Sequence, residues 1–114
     1  PFEGAPVLLL TTRGAKTGKT RVNPMMYLAD GDRILVFASK GGAPTNPDWY
    51  YNLIANPDVT VEVGTETFQA KAMVVAGNER DAIYAKQAAL YPQFGEYEEK
   101  TTRKIPVVAL ARNR

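Results

Sequence analysis

No cysteine and no histidine occur in the 114 residues of this chain, and there is a single tryptophan. Without cysteine, disulfides, thiolate zinc sites and cysteine nucleophiles are all excluded. Without histidine the chain lacks the commonest general base and the commonest metal ligand, so a Ser-His-Asp hydrolase cannot be assembled from it. Long apolar runs are missing too. Nothing approaches the roughly 18–20 residues of a membrane span, and Val7 to Leu10 is strand-sized. There is no signal-peptide h-region. An enzyme built this way uses Tyr, Lys or carboxylates directly, or lends its shape to a cofactor that carries the reaction. The second option suits a small basic domain better.

What is present describes one globular unit. A hydrophobic share of 45% with 23% charged residues belongs to a folded domain, not a disordered chain. At this length residues 1–114 form one domain with a modest core. The chain opens at Pro1 without an initiator methionine, so further N-terminal residues are expected, and any membrane tether or lid there would lie outside this sequence. Net charge is only +2, but from Gly4 to Ala29 there is no acid against Arg13, Lys16, Lys19 and Arg21. Four clustered cations suit phosphate, carboxylates or nucleic acid, or simply a solvated loop. Glu96, Glu98 and Glu99 group later in the chain as a solvated acidic face, and no metal site is expected.

The pattern predicts about six strands and two or three helices. Val7–Thr12 and Arg21–Leu28 read as strands, the second interrupted by Pro24, which places it at an edge or bulge. Asp30-Gly31-Asp32 signals a hairpin into Arg33–Ala38, and Lys40–Thr45 reads as loop. Asn46 as cap and Pro47 at the first position predict a helix carrying Trp49, Leu53 and Ile54 on one face, ended by Asn56-Pro57. Val59, Val61 and Val63 alternate along a strand, and Gly64-Thr65 turns it. The next strand carries Phe68, Ala70, Ala72 and Val74 on one face. Asn78, with Asp81 in a capping-box-like position, starts a helix to about Leu90, ended by Pro92. A short helical segment through Phe94 and Tyr97 and a last strand, Ile105–Ala111, follow. Short hairpin links favour antiparallel pairing, and closing six such strands removes exposed edges. The expected fold is mainly β (α+β), a six-stranded antiparallel barrel with inserted helices.

Three segments could carry chemistry. Gly14-Ala15-Lys16-Thr17-Gly18-Lys19-Thr20 nearly spells a phosphate-binding P-loop. It has three residues between its glycines where four are needed, and Val22 and Pro24 continue it as strand, not helix. What survives is a glycine-bounded turn whose backbone N–H groups, Thr17 hydroxyl and flanking Lys16, Lys19 and Arg21 can hold an anion. Phe37-Ala38-Ser39-Lys40-Gly41-Gly42 lets backbone approach a flat ligand, with Trp49, Tyr50 and Tyr51 close behind. Tyr91, Phe94 and Tyr97, spaced i, i+3 and i+6, share one side of a helical path and either wall a pocket or pack on the barrel. Nucleic-acid binding would need cations interleaved with aromatics along one face, and here they are far apart in sequence, so no nucleic-acid partner is expected.

The runs LLLTTRGAKTGKTRVNP (Leu8–Pro24), ASKGGAPTNPDWYYNLIANPDV (Ala38–Val59), YPQFGEY (Tyr91–Tyr97) and IPVVAL (Ile105–Leu110) together resemble the deazaflavin (F420)-dependent nitroreductase family of actinobacteria. The resemblance implies a split β-barrel and coenzyme F420, a 5-deazaflavin with a phospholactyl-oligoglutamate tail. Reduced F420 would deliver a hydride to a quinone, nitro compound or similar electron-poor acceptor. It assigns Ala15, Lys16, Thr17 and Arg21 to the tail and phosphate, and Val22, Asn23, Pro24, Met25 and Met26 to the ring and ribityl region. Phe37, Ala38, Ser39 and Lys40 would contact the deazaflavin, and Asp48, Trp49, Tyr50, Tyr51 and Asn52 would complete the cofactor site. Tyr91, Phe94 and Tyr97 would face the acceptor, with Ser39, Tyr91 and Tyr97 placed to position or protonate it. Phe94 stands where a nitroimidazole-activating member has tyrosine, which keeps the ring but removes a hydrogen bond worth about 0.5–1.5 kcal/mol. Alternatives are an FMN-dependent oxidoreductase on a related barrel and a non-catalytic F420 carrier. The resemblance further suggests a monomer or weak homodimer, in the cytoplasm or against the inner face of the membrane.

Overall fold

The computed structural model describes residues 5–113, so the expectation of further residues before Pro1 falls outside what it describes. Six strands close a barrel in the order β1-β2-β3-β6-β5-β4, every neighbouring pair antiparallel. They are β1 (Val7–Arg13), β2 (Thr20–Asp30), β3 (Arg33–Phe37), β4 (Asp58–Val63), β5 (Glu66–Val75) and β6 (Val107–Arg112). Helix α1 (Asp48–Ala55) lies between β3 and β4; α2 (Gly77–Leu90) and α3 (Gln93–Lys100) lie between β5 and β6. The barrel with inserted helices is as the sequence predicts, with three helices. Two-residue turns at Gly31-Asp32 and Gly64-Thr65 join β2 to β3 and β4 to β5, and Gly31 and Gly64 both adopt left-handed backbone, φ 60°.

Two apolar clusters explain the strand patterns. One fills the barrel, where Leu8, Leu10, Val36, Val61, Ala70, Val108 and Leu110 meet Trp49 and Leu53 of α1. The other lies outside the barrel wall, where Leu35, Phe37, Val107 and Ala109 are covered by Tyr84 of α2 and Phe94 of α3. β3 and β6 are therefore buried on both faces and read as continuous apolar runs, whereas β4 alternates because its outer face is wet. No described helix is long and apolar enough to cross a membrane.

β2 is the irregular element. Thr20 to Met26 pair with β1 and Tyr27 to Asp30 pair with β3, so the first half of β2 has no ladder on its second side. Pro24, which has no N–H to offer, sits in that half. The barrel is split there, and the opening is the site described below.

Several local expectations are corrected. Asn46 does not cap α1: Pro47 takes the cap position, and the Asn46 amide is bonded to Arg103 and Tyr51 instead. Ile54 is 52% exposed, because five residues from Trp49 is about 140° around a helix while Leu53 is only about 40° away. Val74 is partly exposed at the end of β5, and Val75 beside it is buried with the outer cluster. α2 starts at Gly77 with no side-chain cap, and Asp81 instead binds Lys104 and Arg80, which hold its carboxyl below the usual range, Lys104 first.

Tyr84 is buried and its hydroxyl donates to the Phe94 carbonyl at 2.7 Å. Burial pushes its phenol up to about 12. Below pH 10 the phenol is neutral in both folded and unfolded chains; above it the unfolded chain ionises first, so this contribution to stability is lost as pH rises from about 10 through 12. Tyr84→Phe should lower stability by about 1 kcal/mol at neutral pH yet flatten the alkaline loss, as read from urea midpoints between pH 8 and 11.5.

Candidate functional site

The split in the barrel opens into two clefts that share a wall. A narrow one of about 290 Å³ is lined by Pro24, Met25, Met26, Phe37, Ser39, Gly41, Gln93, Phe94 and Tyr97. A wider one of about 840 Å³ is lined by Gly14, Ala15, Lys16, Thr17, Arg21, Val22, Asn23, Asp48, Tyr51 and Asn52. Lys40, Pro47 and Trp49 belong to both and mark the junction. A single groove thus runs from the Gly14–Lys19 turn to the aromatic face of α3.

The basic turn satisfies much of its own backbone. Gly14 N donates to Lys19 O at 2.7 Å, Gly18 N to Gly14 O at 3.0 Å, and Lys19 N to the Thr17 hydroxyl at 3.2 Å. Helix α1 fixes the turn from beneath. The buried Asn52 accepts from Ala15 N at 3.0 Å and donates to Thr12 Oγ1 at 3.3 Å, while Asn56 donates to Arg13 O. Asn52, expected to contact the cofactor, thus spends its amide on holding the turn. Lys16, Lys19 and Arg21 are exposed, and among the described residues no carboxylate pairs with them. Uncompensated cations on a preformed turn favour an anionic ligand.

The second wall is the loop after β3. Lys40, Gly41 and Gly42 are all left-handed, at φ 49°, 63° and 85°, and Lys40 is the only non-glycine with positive φ among the described residues. That conformation costs a lysine roughly 1–2 kcal/mol, so something must hold it. Arg103, on the segment between α3 and β6, supplies the hold. Its guanidinium donates to the carbonyls of Ala38 (3.1 Å), Ser39 (2.8 Å) and Ala43 (2.9 Å) and to Asn46 Oδ1 (2.7 Å). Gly42 lies so close to α3 that a Cβ there would come within 2.9 Å of the Tyr97 carbonyl. The loop presents the Ser39 side chain and Lys40 to the junction, with Lys40 Nζ resting on Thr45 Oγ1 at 3.3 Å.

Most of the expected site residues line the groove, and three do not. Ala38 is fully buried in the barrel core, Tyr50 packs against that core, and Tyr91 lies outside both clefts. Tyr91 follows α2, donates its N–H to Gln87 O and accepts from Phe94 N–H at 3.0 Å, so the i+3 turn forms, but Tyr91 packs on the outer cluster and does not line a cleft. Phe94 is 5% exposed and stacks edge-on with Phe37 and Tyr97, backing the narrow cleft more than entering it. Gln93 and Arg103 carry no assignment from the sequence, whereas Gly41 belongs to the segment read as approaching a flat ligand and Pro47 to the helix start. Gln93 directly precedes Phe94 and was legible as a neighbour; nothing in sequence ties Arg103 to carbonyls some 60 positions away.

The F420H(2)-dependent quinone reductase family model matches residues 1–112. The chain belongs to that family. An F420H(2)-dependent quinone reductase of Mycobacterium tuberculosis is 43% identical over 112 residues, spanning 94% of this chain and 74% of its own. A second protein of that organism, named for the same activity, is 36% identical over 105 residues, 92% of this chain and 88% of its own. A solved F420-H2 dependent reductase superposes with a TM-score of 0.83 at 40% identity, covering 92% of this chain and 93% of its own. A haem storage protein of Vibrio cholerae, at 14% identity and TM-score 0.75 over 98% of this chain and 84% of its own, shares the fold alone. As a member of the F420H(2)-dependent quinone reductases, the chain must accommodate a flat ring joined to a polyanionic tail. The cations at one end of the groove, which no carboxylate pairs among the described residues, and the aromatic cleft at the other suit those two parts.

Arg103→Met should destabilise the fold by about 2–4 kcal/mol, since it leaves three carbonyls and an amide oxygen short of a charged donor. Arg103→Lys should recover only part, because an ammonium cannot span four acceptors held by a planar fork. Urea midpoints measured at unchanged m-value would check both.

Proposed function

We propose that this chain is an oxidoreductase that passes a hydride from reduced F420 to a quinone, with Lys16, Thr17, Arg21 and the turn backbone holding the tail. The observation that carries this reading is the continuity of the groove past Lys40, Pro47 and Trp49, from uncompensated cations to an aromatic cleft. When bound, the deazaflavin supplies the hydride chemistry that a chain without cysteine or histidine does not.

The chain's own residues have narrower tasks. Asn52 and Asn56 keep the turn in place, and Lys40 stands at the junction with its ammonium on a neutral hydroxyl that an anion can displace. Trp49, Met25 and Phe37 form apolar walls that keep water from the ring. Ser39 and Tyr97 line the narrow cleft, and neither hydroxyl has a hydrogen-bond partner among the described residues, so both are free to orient an acceptor oxygen or give it a proton. Tyr91 is left out of that role by its position.

FMN, with one phosphate and no glutamate tail, would leave much of the wide cleft and its cations unused, which favours F420 over the alternative cofactor. Flat nitroaromatics would enter the same narrow cleft. The exposed Val22 and Tyr51 at the groove mouth would suit approach to a quinone at a membrane's inner surface.

Fluorescence titration should show F420 binding that weakens with added salt, while FMN binds at least tenfold more weakly. The double variant Lys16→Ala/Arg21→Ala should lose about tenfold or more in F420 affinity and show a flatter salt dependence. Tight FMN binding without F420 binding would overturn the cofactor assignment.

A further inference from the structure

The narrow cleft contains one polar side chain that the proposed reaction has not used. Gln93, the first residue of α3, is half-buried and lines the narrow cleft with Met26, Phe94 and Tyr97, outside the wall shared with the wide cleft. Its Nε2 donates to Met26 Sδ at 3.7 Å, and its Oε1 has no partner among the described residues. A thioether is a weak acceptor, so this amide N–H is held in place yet readily surrendered. The orientation follows from chemistry, because a carbonyl oxygen turned toward the sulfur would set two electron-rich atoms together.

The order of residues along the groove says what could claim that N–H. The anionic tail belongs at the Gly14–Lys19 turn, and the junction at Lys40, Pro47 and Trp49 comes next. Met26 and Gln93 line the narrow cleft and not the wide one, so they lie on the side of the junction away from the tail, where an acceptor would lie against the ring. Met25, Phe37 and Trp49 offer apolar surface to a flat ring system, and the cleft discriminates through the polar groups set beside them.

We infer that Gln93 determines acceptor specificity by transferring its amide N–H from Met26 Sδ to a carbonyl oxygen of the bound quinone. This rests on the reading given under the proposed function. Reduction of a quinone takes up a hydride and a proton to give the hydroquinone, and negative charge gathers on the carbonyl oxygens as the hydride arrives. An N–H aimed at one of those oxygens is worth more at that moment than in the bound ground state. Gln93 thus selects acceptors that place a carbonyl opposite α3 over flat rings of equal size that lack one.

The test uses the whole chain with F420H2 and menadione. Gln93→Met keeps the packing and removes the donor. Gln93→Glu changes a single group, turning the donor into a carboxylate that repels the quinone oxygen and becomes a donor again once protonated. Gln93→Met should lower kcat/KM for menadione about 5-fold while the F420 dissociation constant, measured by fluorescence, stays unchanged. Gln93→Glu should lose more than that at about pH 8 and regain activity, relative to the parent chain, as the pH falls toward about 5. A structural role for Gln93 would not produce that pH-dependent recovery. Unchanged kcat/KM in Gln93→Met, no recovery of Gln93→Glu in acid, or an equal loss of F420 affinity would each overturn the inference while leaving the reductase reading intact. Failure of the parent chain to bind F420, or to oxidise F420H2 with menadione, would instead overturn both.

Discussion

The site exists because β2 serves two neighbours in turn. Its first seven residues lie beside β1 and its last four beside β3, and a proline occupies the stretch whose second edge is unpaired. Open strand edges are normally covered or avoided, because their N–H and C=O groups invite pairing. Here the edge faces the loop after β3, too far for a ladder and close enough to form a cleft. Everything placed at the groove, from the basic turn to the wall of α3, depends on this failure of one strand to stay paired along its whole length.

A gap in a barrel is useful only if its walls are held, and the two walls are held differently. The turn beneath the wide cleft is short and satisfies its own backbone, with two asparagines of α1 pinning its base. The loop opposite is longer and includes a left-handed lysine, so it relies on an outside group, the Arg103 guanidinium. Arg80 plays a matching part nearby, donating to the Ile105 carbonyl through two nitrogens while lying over the Tyr84 ring. The segment from Thr101 to Pro106 is thereby fastened both to the loop after β3 and to α2. Gln87 is the exception within this frame: fully buried on α2, it has no partner for either amide atom among the described residues.

The barrel was legible in sequence because its strands carry strong local signals. Asp30-Gly31-Asp32 and Gly64-Thr65 mark the turns, and Val59, Val61 and Val63 mark a half-wet strand. The unbroken apolar run at Ile105–Ala111 reported a strand covered on both sides, although that covering could not be seen. Helix starts were less legible. Asn46 has the side chain of a cap, but Arg103 takes its oxygen, and the helix begins one position later, at Asp48, with Pro47 in the cap position. The basic turn and the Ser39–Gly42 loop could be read as ligand-facing from composition and spacing. Tyr91 could not be placed, because the shared side that i+3 spacing gives it with Phe94 can pack on the barrel as well as wall a cleft, and here it packs. Arg103 could not be found at all, since its partners are backbone carbonyls, which every sequence offers everywhere.

Gly42 seated on the Tyr97 carbonyl, with Arg103 fastening the same loop to the chain just beyond α3, gives the groove an indivisible far side. The loop after β3 and the helix α3 are thus packed as one piece of protein. A substituent at position 42 would meet backbone rather than the end of a flexible side chain, so the seating of the loop and the placement of α3 are set as a single dimension.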